Sequence, residues 1–101
     1  MPPTPPDDLL IRHEQTASKG RYSVNLNGAE AEMTYTRAGE KLIIIDHTYV
    51  PDAMRGRSVG EALVARAVED ARASGISIIP LCPFAKAQIE RHLEWRDVLK
   101  N

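Results

Sequence analysis

Residues 42–60 read LIIIDHTYVPDAMRGRSVG. Leu42 to Ile45 is an apolar run dominated by β-branched side chains, the composition of a buried strand. The run passes through Asp46, His47 and Thr48 and stops at Pro51, which has no N–H to give to a sheet ladder. A basic, glycine-containing hexapeptide, Arg55-Gly56-Arg57-Ser58-Val59-Gly60, then opens a helical pattern. Strand, loop and helix N-terminus thus follow one another in a single stretch. The first turn of a helix leaves backbone N–H groups without intrahelical partners and carries the positive end of the helix dipole, so this junction attracts anions. Gly56 and Gly60 lack a Cβ and let the backbone approach a phosphate, and Arg55 and Arg57 add positive charge beside the same amides. At about 1.5–3 kcal/mol for each charge-assisted hydrogen bond, several acting together hold a diphosphate.

Working outward, Lys19 to Asn27 alternates Tyr22, Val24 and Leu26 against Ser23 and Asn25, the period of a half-buried strand. Asn27-Gly28 is a hairpin signal, because both tolerate the positive φ of a type I′ turn, and it returns the chain through Ala29 to Arg37. Ala38-Gly39-Glu40 turns it again into Lys41 to Val50, and Leu9 to Glu14 reads as a short first strand. Beyond the loop, Leu63, Val64, Ala67, Val68 and Ala71 form one apolar stripe on a helix from Val59 to Ser74, with Gly75 as its stop. Ile76 to Leu81 is then a strand parallel to Leu42–Val50 through a right-handed crossover. A final helix is expected over Lys86 to Leu99, with Ile89, His92, Leu93, Trp95 and Leu99 as its apolar contacts. The order β-β-β-β-α-β-α is an α+β fold, a mixed α/β arrangement around a single sheet.

Val50-Pro51 followed by Arg55 to Gly60 resembles motif A of the GNAT superfamily of acetyl-CoA-dependent N-acetyltransferases, whose pattern is Arg/Gln-x-x-Gly-x-Gly/Ala. Arg55 and Gly60 match it, and Ser58 stands where the family usually has its first glycine. His47-Thr48-Tyr49-Val50-Pro51 ahead of the motif and Pro80-Leu81-Cys82-Pro83-Phe84 after the helix are similar to a subgroup of very short GNAT-like proteins, and the likeness runs from Tyr22 to Leu99. Several consequences are implied by this resemblance. The strand before motif A and the strand after its helix splay apart, with the pantetheine arm of CoA in the gap. Thr48, Tyr49, Val50, Arg55, Gly56, Arg57, Ser58, Val59 and Gly60 bind the cosubstrate. The thioester lies near His47 to Val50 and the segment starting at Cys82. The N-terminal helices common in the family are lacking, since Gln15 to Ser18 leave no room for them, so the acceptor meets an open surface.

Two residues are candidates for the chemistry. Asp46 and His47 point to opposite faces of a regular strand, so only one faces the gap unless a bulge intervenes; the resemblance selects His47. A neutral imidazole with a pKa near ~6.5 takes the proton from an attacking ammonium at neutral pH, and the alternative is a histidine that only hydrogen-bonds its neighbours. Cys82 either accepts the acetyl group as a thiolate or is a small buried hydrophobe at a strand end, and the second reading is preferred. His13 and His92 lack such a setting and read as surface or packing residues, and Trp95 and Phe84 as core residues.

Composition bounds the rest. At 101 residues the chain holds one domain, expected over residues 9–101, behind a proline-rich tail at 1–8 that is expected to be disordered. With 13 basic and 14 acidic residues the net charge is -1, without the cationic excess that nucleic acid or anionic membrane requires, so neither is expected as a partner. One cysteine removes internal disulfides and Cys-based zinc patterns; no metal is expected and a cytoplasmic setting is. Leu42 to Ile45, the longest strongly apolar run, is too short to cross a bilayer. The expectation is an acetyl-CoA-dependent N-acetyltransferase acting on an amine by direct attack in a ternary complex. The alternative is a non-catalytic module binding CoA or another phosphate ligand.

Overall fold

A computed structural model describes residues 11–26, 28–52 and 59–100. Five strands form one sheet in chain order: β1 (Arg12–Gln15), β2 (Lys19–Leu26), β3 (Ala29–Arg37), β4 (Leu42–Tyr49) and β5 (Ser77–Pro80). The first four make an antiparallel meander and β5 joins β4 in parallel, as expected of a strand reached through a helical crossover. That helix is α1 (Val59–Ser74), and α2 (Pro83–Arg91) follows β5. The observed α+β architecture matches the expected order. The tail at 1–8, Leu9, Leu10 and Asn27 lie outside the described residues, as do Arg55, Gly56, Arg57 and Ser58.

Local chemistry accounts for the connections. Leu26 pairs with Ala29, which closes a two-residue hairpin loop, and Gly28 takes a φ of 84° that a side chain would resist. Gly75, at φ 69°, ends α1: its N–H reaches the Arg72 carbonyl and the Ile76 N–H reaches the Ala71 carbonyl at 2.8 Å, a Schellman closure of the last turn. The expected stripe of α1 is buried, Leu63, Val64 and Val68 completely.

In β3 the odd positions Ala31, Met33 and Tyr35 are buried, and they share one core with α1, with Ala85 and Ile89 of α2, and with Trp95 and Val98. Both helices therefore lie on one face of the sheet. The opposite face, carrying Thr34, Thr36 and Ile44, is covered by no helix among the described residues.

The last helix departs from expectation. It starts earlier, with Pro83 in its first turn where a missing N–H costs nothing, and it stops at Arg91. His92 is extended at φ -104° and a 3-10 helix runs over Leu93–Val98. Ile89 and Trp95 are both buried. Six residues apart on an unbroken α-helix they would point roughly 120° apart, so the break rotates Trp95 back into the core. Leu93, expected as a contact, is left 72% exposed.

Candidate functional site

Pairing between β4 and β5 ends at Ile45 and Pro80. There the Ile45 carbonyl accepts from both the Leu81 and Cys82 N–H groups at 3.1 Å, and the chain turns away into α2. β4 continues to Tyr49 paired with β3 alone. A cleft thus opens between the second half of β4 and the start of α2, and α1 begins beside it.

β4 carries a bulge at the same place. Tyr35 pairs with Ile45 but Thr34 pairs with His47, so Asp46 is an extra residue on β4. The consequence is a change of face halfway along the strand. Ile43 and Ile45 point into the core, yet His47, aligned with Thr34, lies on the helix-free face. Asp46 is on that face as well: its Oδ2 accepts a hydrogen bond from Thr36 Oγ1 at 2.7 Å. Both are exposed. Thr48, aligned with Met33, turns to the helix face instead, where the Cys82 thiol donates to its Oγ1 at 3.4 Å. It is Thr48, and not His47, that meets Cys82.

Cys82 is the N-cap residue of α2, is buried, and makes no side-chain cap hydrogen bond. Among the described residues its polar neighbour is a neutral hydroxyl. Tyr49 is 52% exposed and Val50 half-buried at the end of the strand, and the exposed Leu81 and Phe84 stand across the cleft. Val59 is buried, so its side chain is not open to a ligand. Gly60 has a structural reason the sequence did not suggest. A Cβ built there would lie 2.5 Å from Phe84 Cζ and 3.3 Å from Val50 Cγ2, so the ring of α2 occupies the space that glycine leaves on α1.

A second polar cluster sits under the other half of the sheet. His13 stacks on Tyr22 with ring centroids 4.1 Å apart, and its Nε2 is 2.7 Å from the Tyr35 hydroxyl. Tyr22 donates to Asp70 at 2.8 Å, and Arg66 reaches the same carboxylate. Burial, followed by the hydrogen bond to Asp70, pushes the Tyr22 hydroxyl well above its ordinary value. Burial holds His13 below its ordinary value, against the pull of Asp70 and with help from Arg66. His92 stacks on Trp95 at 3.9 Å. His13 and His92 thus each stack on an aromatic ring, away from the cleft beside β4. No group of three or more His, Cys, Asp or Glu able to hold a metal occurs among the described residues, and no described helix is long and apolar enough to cross a membrane.

Comparison with known proteins agrees with this geometry. The family model described as GCN5-related N-acetyl-transferase matches residues 21–98. Protein NATD1 of Mus musculus is 36% identical over 72 residues, 65% of this chain, and Protein NATD1 of Xenopus tropicalis is 38% identical over 61 residues, 58% of the chain. The matched segments span 66% and 56% of those relatives, less than two thirds of either. The NMR solution structure of a GCN5-like candidate N-acetyltransferase from Staphylococcus aureus superposes with a TM-score of 0.67 at 36% identity, covering 89% of this chain and 88% of that one.

Proposed function

The chain belongs to the GCN5-related N-acetyltransferases, and from that premise we propose that it transfers the acetyl group of acetyl-CoA to an amine by direct attack in a ternary complex. The observation that carries the reading is the separation of β4 from β5 after Ile45, at the level where α1 begins. Beyond Ile45 β4 keeps β3 on one edge and has no strand on the other, the edge along which an extended chain would lie. In this reading Thr48, Tyr49 and Val50 line the pantetheine arm, and the diphosphate is held by backbone amides of Arg55, Gly56, Arg57, Ser58, Val59 and Gly60 together with the side chains of Arg55, Arg57 and Ser58.

His47 is the general base. It is exposed on the helix-free face, where an amine has access, and a neutral imidazole is a group able to take the ammonium proton. Cys82 forms the wall of the cleft. Its thiol is turned toward Thr48 and away from the face that carries His47, which separates it from the one imidazole able to activate it. The amine attacks the thioester carbonyl, its proton passes to His47, and CoA leaves as the thiol. A cytoplasmic setting, where acetyl-CoA is supplied, belongs to the same reading.

Thermal shift with acetyl-CoA, CoA and ATP, paired with a thiol-release assay over a panel of amines, tests it. Stabilisation by both CoA species with amine-dependent thiol release is expected. Failure of either CoA species to stabilise the chain refutes the reading, and binding without turnover of any amine replaces it with a non-catalytic CoA-binding module.

A further inference from the structure

We propose that Asp46 is the acceptor-binding residue, its carboxylate receiving the ammonium end of a primary alkylamine, a lysine side chain or an alkyl diamine, that enters from the helix-free face of the sheet. The proposal rests on the acetyltransferase reading and gives it a substrate class.

The bulge is the first ground. In an unbulged β4 Asp46 and His47 would point to opposite faces; the extra residue puts both on the same one, adjacent in the chain, where the strand leaves β5. The second is a hollow of about 500 Å³ on this face, bounded by Asp46, Thr34, Lys19, Gly20, Arg21 and Glu14. Thr34, which borders the hollow, is the cross-strand partner of His47, and Asp46 precedes His47 in the chain.

Charge is the third. Arg21 is already occupied: its Nε donates to Glu32 at 2.6 Å, one terminal nitrogen donates to Glu30, and another lies 3.6 Å from Glu14. Asp46 has no cationic partner among the described residues. Its one side-chain hydrogen bond among the described residues, from Thr36, holds the carboxylate through a single oxygen. A carboxylate held in place without a counter-ion among the described residues, next in the chain to a base, is complementary to an ammonium, whose three donors satisfy it and still leave one proton for the base. Because no described helix covers this face, only the amine-bearing end of the acceptor has to fit, and its body remains in solvent.

The transfer balances with these two residues. The ammonium held by Asp46 gives a proton to the His47 imidazole, the freed nitrogen lone pair forms the C–N bond, the C–S bond breaks, and the departing sulfur takes the second proton from nitrogen. The net change is one alkylammonium and one acetyl-CoA giving one acetamide, one CoA thiol and one proton, which His47 returns to solvent.

The test uses the full chain with Asp46→Asn and, separately, Thr36→Val, with 1,5-diaminopentane, Nα-acetyl-lysine amide and p-toluidine as acceptors at saturating acetyl-CoA. The wild type should favour the two alkylamines over the arylamine, and the lower KM of the two identifies whether a diamine or a lysine is the source. Asp46→Asn should raise the alkylamine KM about tenfold or more, the loss of one charge-assisted contact, and Thr36→Val by about two- to fivefold. Calorimetric titration of 1,5-diaminopentane into the protein–CoA complex should weaken in parallel. An unchanged alkylamine KM in an Asp46→Asn protein that binds CoA as the wild type does overturns the proposal, as does preference for the arylamine. Should Asp46→Asn fail to fold, an unchanged KM in Thr36→Val has the same force. A wild type that neither binds CoA nor releases thiol overturns the acetyltransferase reading itself, and the proposal with it.

Discussion

Gly60→Ala probes the contact between the two helices that flank the cleft. The added Cβ would sit 2.5 Å from Phe84 Cζ and 2.8 Å from Cε1, so the ring has to retreat by about 1 Å or swing outward. Phe84 is 39% exposed, and a ring that swings out gives up roughly three fifths of the ~1.5–3 kcal/mol that full burial provides, about 1–2 kcal/mol. Alanine recovers up to ~1 kcal/mol over glycine in a helix, less in a first turn. The net expectation is a loss of about 0.5–1.5 kcal/mol, or roughly 2–10 °C in Tm for a domain of this size. In a Phe84→Ala background only the milder 3.3 Å approach to Val50 Cγ2 remains, and Gly60→Ala should become nearly neutral or stabilising. A double-mutant cycle by urea denaturation reads the coupling directly, expected at about 1–2 kcal/mol. Coupling within the ~0.5 kcal/mol of ordinary additivity would refute the argument that the ring occupies glycine's space. The same geometry means that a larger residue at Gly60 disturbs helix packing as well as any anion bound at the helix N-terminus, so Arg55→Ala alone is the cleaner probe of diphosphate binding.

Three further outcomes follow from the site and its surroundings. His47→Ala should lower kcat by about 10²-fold or more, as loss of a general base does, while Cys82→Ala retains most transfer; intact-mass detection of an acetyl thioester on Cys82 that an amine discharges at a competent rate would reverse that ranking. His13 is held below its ordinary pKa, so the fold binds fewer protons there than the unfolded chain does: its contribution to stability is complete above the unfolded value near ~6.5 and falls as pH drops through the folded one. Urea midpoints between pH 7.5 and 5 should decline in the wild type and decline less in His13→Phe. Arg72 ties α1 to the closing 3-10 helix through Asp97, at 2.6 and 2.9 Å, and through the Glu94 carbonyl at 2.5 Å. Arg72→Ala should therefore loosen that segment and shift the emission of Trp95, the one tryptophan, to longer wavelength; an unshifted spectrum would show that the buried indole and its stack on His92 hold the segment without Arg72.

Much of this molecule is written in local features. The apolar runs and their periods, Asn27-Gly28, Gly75 and the basic loop gave the strands, the first hairpin, the boundaries of α1 and the parallel crossover, because each depends on residues a few positions apart. Residues 59–74 emerge as a helix with the stripe their spacing requires, and β3 occupies the expected residues. The last helix shows where local reading stops. Lys86 to Leu99 has helical composition throughout, and what breaks it at His92 is the burial of Trp95 against a core assembled from distant elements.

The site divides along the same line. Sequence alone supplied the strand and helix on either side of the loop, the expectation that the loop attracts an anion, His47 and Cys82 as candidates for the chemistry, and the expectation of an open face for the acceptor. Only the tertiary structure decided which of these groups meet. A bulge is a property of two strands paired together, set by how β3 and β4 align about Thr34 and Tyr35, and no period within β4 announces it. One extra residue there puts Asp46 beside His47 on the helix-free face and turns Thr48 to Cys82, because side-chain direction alternates with every residue and a shift of one exchanges the faces for all that follow.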